Sequence, residues 1–255
     1  MTQKEILQTA LAQSAIDLNC RPEDLTSGKK VVVDSKPHPK ARAYLKLPFA
    51  CNLVSYGGGV VASVSPEVRE IAATYLGKYP TEHLFETPNL HALDDALAPL
   101  GLRTCFMAEY FLPELAALKP LPCKYELRLL ERADFQHLYL PQWSNALSDK
   151  RPHLDILAMG AYDGDTLIGM AGCSADCDSM WQIGIDVLPA YRRQGIASAL
   201  TAQLALECLA RGKVPFYCAA WSNLPSVRNA IKAGFRPAWV ELTVKSAETV
   251  REMNA

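Results

Sequence analysis

Between Ile183 and Leu200 the chain reads Ile-Gly-Ile-Asp-Val-Leu-Pro-Ala-Tyr-Arg-Arg-Gln-Gly-Ile-Ala-Ser-Ala-Leu, and these residue types suit the gripping of an anion. Arg192 and Arg193 put two guanidiniums side by side, and Gly195 follows just before a helix-forming run, Ile196–Ala210. The first N–H groups of a helix have no intrahelical acceptor, and the helix dipole makes that end positive. A phosphate or pyrophosphate is the ligand that such a turn accepts. Upstream, the β-branched and apolar residues Ile183–Val187 predict a buried strand, which Pro189 ends because it has no N–H for a ladder. Strand, basic glycine turn and helix are thus the elements that must position these groups. The plainer reading of Arg192 and Arg193 is a solvated surface pair.

The whole chain sets bounds on what that turn serves. Its 255 residues suffice for two cores, and 49% hydrophobic with 21% charged residues is ordinary for a globular protein. A net charge of -1 gives no global basic field, so nucleic acid is not an expected partner. No apolar run is long enough to cross a bilayer, and Met-Thr-Gln-Lys-Glu-Ile opens an amphipathic helix and not a signal peptide. The 8 cysteines are scattered through apolar segments without a CxxC pair or clustered histidines, which reads as free thiols of a reducing cytoplasm and gives no metal site. Cys173 and Cys177 flank a predicted hairpin turn; a metal or redox role is the alternative for that pair.

The N-terminal part reads as mixed α and β. Ile6, Leu7, Ala10, Leu11, Ala15 and Leu18 form one helical face. Strands are expected at Val31–Asp34, Cys51–Tyr56 and Val60–Val64. Gly57-Gly58-Gly59 lies between two of them without a following Lys-Ser/Thr, so it reads as a hairpin turn and not a phosphate loop. Helices are expected from Ser65-Pro-Glu to Leu76, stopped by Gly77, and from Asn89 to Leu100, ended by Gly101. A strand follows over Leu102–Phe111. Pro113, Pro120 and Pro122 then mark a boundary, which divides the chain into residues 1–118 and 122–255.

Beyond it the pattern is a strand at Tyr125–Leu130, short helices at Glu131–Leu138 and Pro141–Leu147, and strands at Ile156–Tyr162, Thr166–Cys173 and Met180–Val187. The helix after Gly195 comes next, then a strand at Val214–Ala220, a helix from Asn223 to Ala233 stopped by Gly234, and last strands over Phe235–Val244. Asn223 and Ser226 open that final helix, and a plain helix cap is the alternative to a ligand contact there.

This order resembles the GNAT superfamily of N-acetyltransferases over about Tyr125–Val244. Two motifs carry the likeness. One is the acyl-coenzyme A pyrophosphate loop, present as Arg192-Arg-Gln-Gly-Ile-Ala197. The other is Asn223-Leu-Pro-Ser226 with Gly234-Phe235 after the next helix. Gln182-Ile-Gly-Ile-Asp186 with Ala190–Ala197 is closest to a bacterial subgroup that has an extra N-terminal domain. The resemblance implies an α+β fold: a mixed, mostly antiparallel sheet with flanking helices, plus a smaller N-terminal α/β domain. It implies acetyl-CoA (coenzyme A) as acyl donor, and a small-molecule or peptide amine as acceptor. The extra domain is expected to wall the acceptor pocket or to form a homodimer interface.

In such a fold the N–H groups of Arg193, Gln194, Gly195, Ile196, Ala197 and Ser198 meet the pyrophosphate, with Arg192 adding charge. Ile185 and Val187 offer backbone groups to the pantetheine amides where their strand splays from the next, and Asn223 and Ser226 lie at the mouth. N-acyl transfer also needs a proton acceptor for the amine, a donor to the thioester oxygen and an acid for the thiolate. Related sequences often place Glu near Gln182 and Tyr near Ala230, and this chain departs at both. Gln182 can orient an amine or water. Asp186, on the same strand face by the two-residue period, is the nearest titratable candidate base; its alternative is pairing with Arg192 or Arg193. Ser226, Tyr217 or water remain open as the acid, as does departure of coenzyme A as the thiolate. A non-catalytic acyl-CoA-binding module is the rival function.

Overall fold

Alternation, capping residues and prolines set the element boundaries. A computed structural model describes residues 1–254 of the chain. In order they form α1 (Gln3–Leu18), β1 (Lys30–Asp34), β2 (Cys51–Ser55), β3 (Val60–Val64), α2 (Arg69–Lys78), α3 (Thr87–Leu97) and β4 (Leu102–Pro113). Then come β5 (Glu126–Glu131), α4 (Arg132–Phe135), β6 (Asp155–Asp163), β7 (Thr166–Ser174), β8 (Met180–Val187) and α5 (Ile196–Ala210). The chain closes with β9 (Val214–Ala219), α6 (Leu224–Lys232), β10 (Phe235–Ser246) and α7 (Ala247–Met253). Among the described residues, no helix is long and apolar enough to cross a membrane.

Three expectations need correction. Gly77 does not stop α2, which runs on to Lys78; the stop is Tyr79, extended at φ -118° and ψ 148° because Pro80 follows it. The two helices expected over Glu131–Leu147 shrink to four-residue α4 and a 3-10 turn at Pro141–Trp143. The segment expected as last strands is one strand, β10, and the sequence reading has no counterpart of α7.

The chain divides into two compact units, neither of them continuous in sequence. The first takes Met1–Ala10 and Tyr110–Pro237, and the second takes Leu11–Glu109 and the residues from Ala238 onward. The division expected at 1–118 and 122–255 therefore differs at both chain ends, and Ala255 of that range lies outside the described residues. Hydrogen bonds account for the difference. Gln3 Nε2 donates to the Pro113 carbonyl at 3.0 Å, and Leu115 N donates to Gln3 Oε1 at 2.9 Å, which fastens the N-terminus to the first unit. Val240–Val244 of β10 pair antiparallel with β2, which places that stretch in the second.

In the second unit β1 is parallel to β3, and β2 pairs antiparallel with both β3 and β10. In the first unit β5, β6, β7 and β8 form an antiparallel meander, and β9 adds parallel to β8. The sheet is thus mixed and mostly antiparallel with flanking helices, an α+β arrangement. Its main core joins Ile183 and Ala171 of the sheet to Ile196, Leu200 and Leu204 of α5. The opposite face carries a second cluster, with Trp143, Ala146 and Leu147 packed against Met170.

Candidate active site

β8 and β9 are partners over three residue pairs only: Met180↔Val214, Trp181↔Pro215 and Gln182↔Phe216. β8 runs on to Val187 against β7, from Ser174↔Gln182 to Gly169↔Val187. The sheet therefore opens between β8 and β9 beyond Gln182. Leu188 N donates to the Ile168 carbonyl at 2.9 Å, so the antiparallel alternation turns the backbone of Asp186 and Gly184 toward β7. The backbone groups of Ile185 and Val187 then face the open side. The Val187 carbonyl there accepts from Arg192 Nε at 3.0 Å.

The turn at the end of β8 has the geometry its sequence suggests. Gly195 caps α5 at φ 84°, which a side chain resists. Arg193 also stands at positive φ, 61°, though it is not glycine. That conformation costs an L-residue about 1–2 kcal/mol, and Arg193 stands two residues before the left-handed Gly195 in the turn that leads into α5. Ala199 N makes the first helical bond, to the Gly195 carbonyl at 3.1 Å. The N–H groups of Ile196, Ala197 and Ser198 precede it and have no acceptor within the helix.

Side chains brace the turn from below. Tyr125 Oη donates to Gln194 Oε1 at 3.1 Å and Tyr191 Oη to Asp163 Oδ2 at 3.2 Å, while the two tyrosine rings meet edge-on at 5.7 Å. Ile196 is buried, and Ser198 Oγ donates to Asn229 Oδ1 at 3.1 Å, whose Nδ2 donates to Thr201 Oγ1 at 3.0 Å. The Ser198 hydroxyl thus ties α5 to α6, and what remains directed outward is its N–H.

A third cation meets the turn. Lys232 Nζ lies 3.9 Å from where a Cβ on Gly195 would stand. Sequence reading missed it; its signal is only a lysine in the last turn of the helix that Asn223 opens. Asn223 does cap α6, accepting from Ser226 N at 3.3 Å. The Ser226 hydroxyl is 2.7 Å from Tyr217 Oη, and burial of Tyr217 raises its pKa above the usual 10.0. Ala230 is fully buried in the main core.

Gln182 and Cys218 share the sheet face opposite α5, with Gln182 Nε2 donating to Cys218 Sγ at 3.2 Å. Asp186 lies on this face too, but its partners are neither Arg192 nor Arg193. Its Oδ2 accepts from Asn145 N at 2.8 Å and Ala146 N at 3.0 Å, and its Oδ1 accepts from Asn145 Nδ2 at 2.7 Å.

The sequence over residues 113–238 matches the family model of the GNAT acetyltransferases. Among solved structures, the chain is similar to a GCN5-related N-acetyltransferase-like protein from Streptococcus suis 89/1591, at 23% identity and TM-score 0.45, over 62% of this chain and 69% of that one. A GCN5-related N-acetyltransferase from Kribbella flavida aligns at 16% identity and TM-score 0.47, over 62% of this chain and 63% of that one. The aminoglycoside N-acetyltransferase AAC(6')-Iy in complex with CoA aligns at 21% identity and TM-score 0.36, over 48% of this chain and 93% of that one. The chain spans about two thirds of the first two neighbours. No curated protein matches.

Proposed function

We propose that this domain transfers an acyl group, acetyl in the first instance, from acyl-coenzyme A to a primary amine on a small molecule or peptide, by direct attack on the thioester. The observation that supports this best is the opening between β8 and β9 with the Arg192–Ser198 turn at its end. Coenzyme A matches it chemically. Its pyrophosphate suits the N–H groups from Arg193 to Ser198, with Arg192, Arg193 and Lys232 adding charge. Its pantetheine amides suit the open edge of β8 at Ile185 and Val187, as an added strand would. Asn223 and Ser226 stand at the mouth, where capping α6 and contacting the donor are compatible.

When bound, the donor supplies the activated carbonyl; the chain orients it and moves protons. The N–H of Val187 faces the opening and is the donor proposed for the thioester oxygen. Tyr217, whose hydroxyl is hydrogen-bonded to Ser226, is the proposed acid for the leaving sulfur. Its raised pKa keeps it protonated at pH values where many amines lose their proton, so its share of activity is lost only as pH rises through a value above 10.0. Gln182, held toward Cys218, orients the amine or a water. The three hydrogen bonds of Asp186 define what it does.

A second reading has its own observation. The side chain at Gln182 cannot take a proton, and Ala230 in the core presents none. That favours an acyl-CoA-binding module without turnover. Acetyl-CoA mixed with a broad amine panel separates the two: free thiol release supports transfer, and thermal stabilisation by acetyl-CoA without release supports binding alone. In an active enzyme, Tyr217→Phe lowers kcat on the order of a hundredfold and removes the alkaline limb; an unchanged kcat takes the acid role from Tyr217.

A further inference from the structure

Gly172 of β7 and Gly184 of β8 are direct partners in the antiparallel register. Both belong to the face opposite α5, so together they leave a shallow trough across two strands. The segment after the Pro141–Trp143 turn lies in it. A Cβ on Gly184 would stand 1.8 Å from the Asn145 carbonyl oxygen, and one on Gly172 2.0 Å from that of Ala146. These distances leave room for no side chain. With its carbonyls pressed onto the trough, the segment turns its N–H groups along β8, and both reach Asp186.

The ends of this strap are fixed independently. Trp143 and Leu147 are buried on the same face, and Ser148 N donates to Asp155 Oδ2 at 2.7 Å. Asn145 itself is exposed, and its side chain reaches Asp186 Oδ1. The carboxylate thus spends both oxygens on the strap. Gln182, where β8 parts from β9, is two residues from Gly184 on the same face. The opening passes through the sheet: the proposed pyrophosphate turn lies on the α5 side, and the strap lies on the other.

We infer that Asp186 is a positioning residue, a latch that holds the strap Ser144–Leu147 across the Gly172/Gly184 trough as one wall of the acceptor's path to the thioester. This rests on the acyl-transfer reading above. It assigns the wall to the chain's own first unit and gives Asp186 a task other than taking the amine's proton. An amine reaches the thioester in line only if this wall is fixed, since small displacements of bound groups cost large factors in rate.

The test uses Asp186→Asn, Asn145→Asp and the double variant. In Asp186→Asn the acceptor at position 186 loses its charge, so its bonds to the two backbone N–H groups weaken, and the exposed Asn145 amide must turn its oxygen toward the new amide's nitrogen. The double variant returns a carboxylate to the pair, at position 145, and leaves the carbonyl of the new amide at position 186 for the two backbone N–H groups. Asp186→Asn should raise the acceptor KM roughly tenfold with the donor KM unchanged, and the double variant should recover most of it. The pH–rate profile should keep its shape throughout. Loss of kcat by about a hundredfold together with the limb of the profile, unrescued by the double variant, would overturn the latch and make Asp186 the base. Amide hydrogen exchange at residues 145 and 146 in the ligand-free protein decides the latch apart from turnover. Faster exchange in Asp186→Asn, slowed again in the double variant, supports it; equal exchange in all four proteins overturns it. Should the parent protein neither release thiol nor gain stability with acetyl-CoA, the acyl-transfer reading fails while the exchange result still stands or falls alone.

Discussion

Two arginine sites, one in each unit, use the same chemistry to opposite ends. In the second unit Arg42 is 3% exposed, and its guanidinium reaches Asp17, Glu241 and Tyr44. Asp17 also accepts from Arg42 N and Gln13 Nε2, and Glu241 from Trp239 Nε1. Every charge there is met from within. In the first unit Arg193 and Lys232 are exposed, no carboxylate among the described residues pairs with them, and Arg193 holds a left-handed backbone. Positive charge alone therefore does not mark a site. The mark is charge and N–H groups left unmatched on a stiff support.

Breaking the buried cluster should have the largest effect. Arg42→Ala leaves two carboxylates without their cation, and should lower unfolding free energy by about 3–5 kcal/mol in urea titration. The folded fraction should bind acetyl-CoA as before; weakened binding would undo the contrast. Gly195→Glu comes next. It forces a side chain into φ 84° and sets a carboxylate beside the anion's place, so acetyl-CoA affinity by calorimetry should fall at least about a hundredfold.

Arg193→Gly sharpens the comparison because stability and function should part. Relief of the left-handed strain should raise Tm by about 2–4 °C, for roughly 1 kcal/mol, while donor KM rises several-fold. A drop in Tm would mean that the side chain stabilises the apo turn. Lys232→Ala should have the smallest effect, a rise in donor KM of about two- to fivefold that shrinks with added salt, as an exposed charge requires. No change at low salt would remove Lys232 from the site.

Much of this is legible in the sequence. The meander β5–β8, the helix after Gly195 and the Asn223 cap follow from period-two runs, proline breaks and glycine turns, all local signals. The partners of Asp186 are not, since nothing near position 145 in sequence announces a carboxylate 41 residues on. For the same reason the strap reads as a helix: its apolar spacing fits one, but Asp186 takes N–H groups that a helix would have given to its own carbonyls. Lys232 escapes in a similar way, because Gly195, its neighbour, comes from another helix. Tyr217 stands only as one of three candidate acids until its bond to Ser226 of α6 is seen. Gln182 and Ala230 are visible in sequence as departures, and the structure puts Gln182 on Cys218 and Ala230 in the core.

The pairing of Arg42 with Glu241 spans 199 positions. Its other carboxylate, Asp17, lies 25 positions before Arg42 and is made long before Glu241. During synthesis the second unit must therefore wait for the last strand, while nearly all of the first unit has already emerged. A salt bridge of this reach loads the loop-closure entropy onto the final stage of folding. The newborn chain should thus pass through a period in which one half is built and the other, with Arg42 short of a partner, is a client for chaperones.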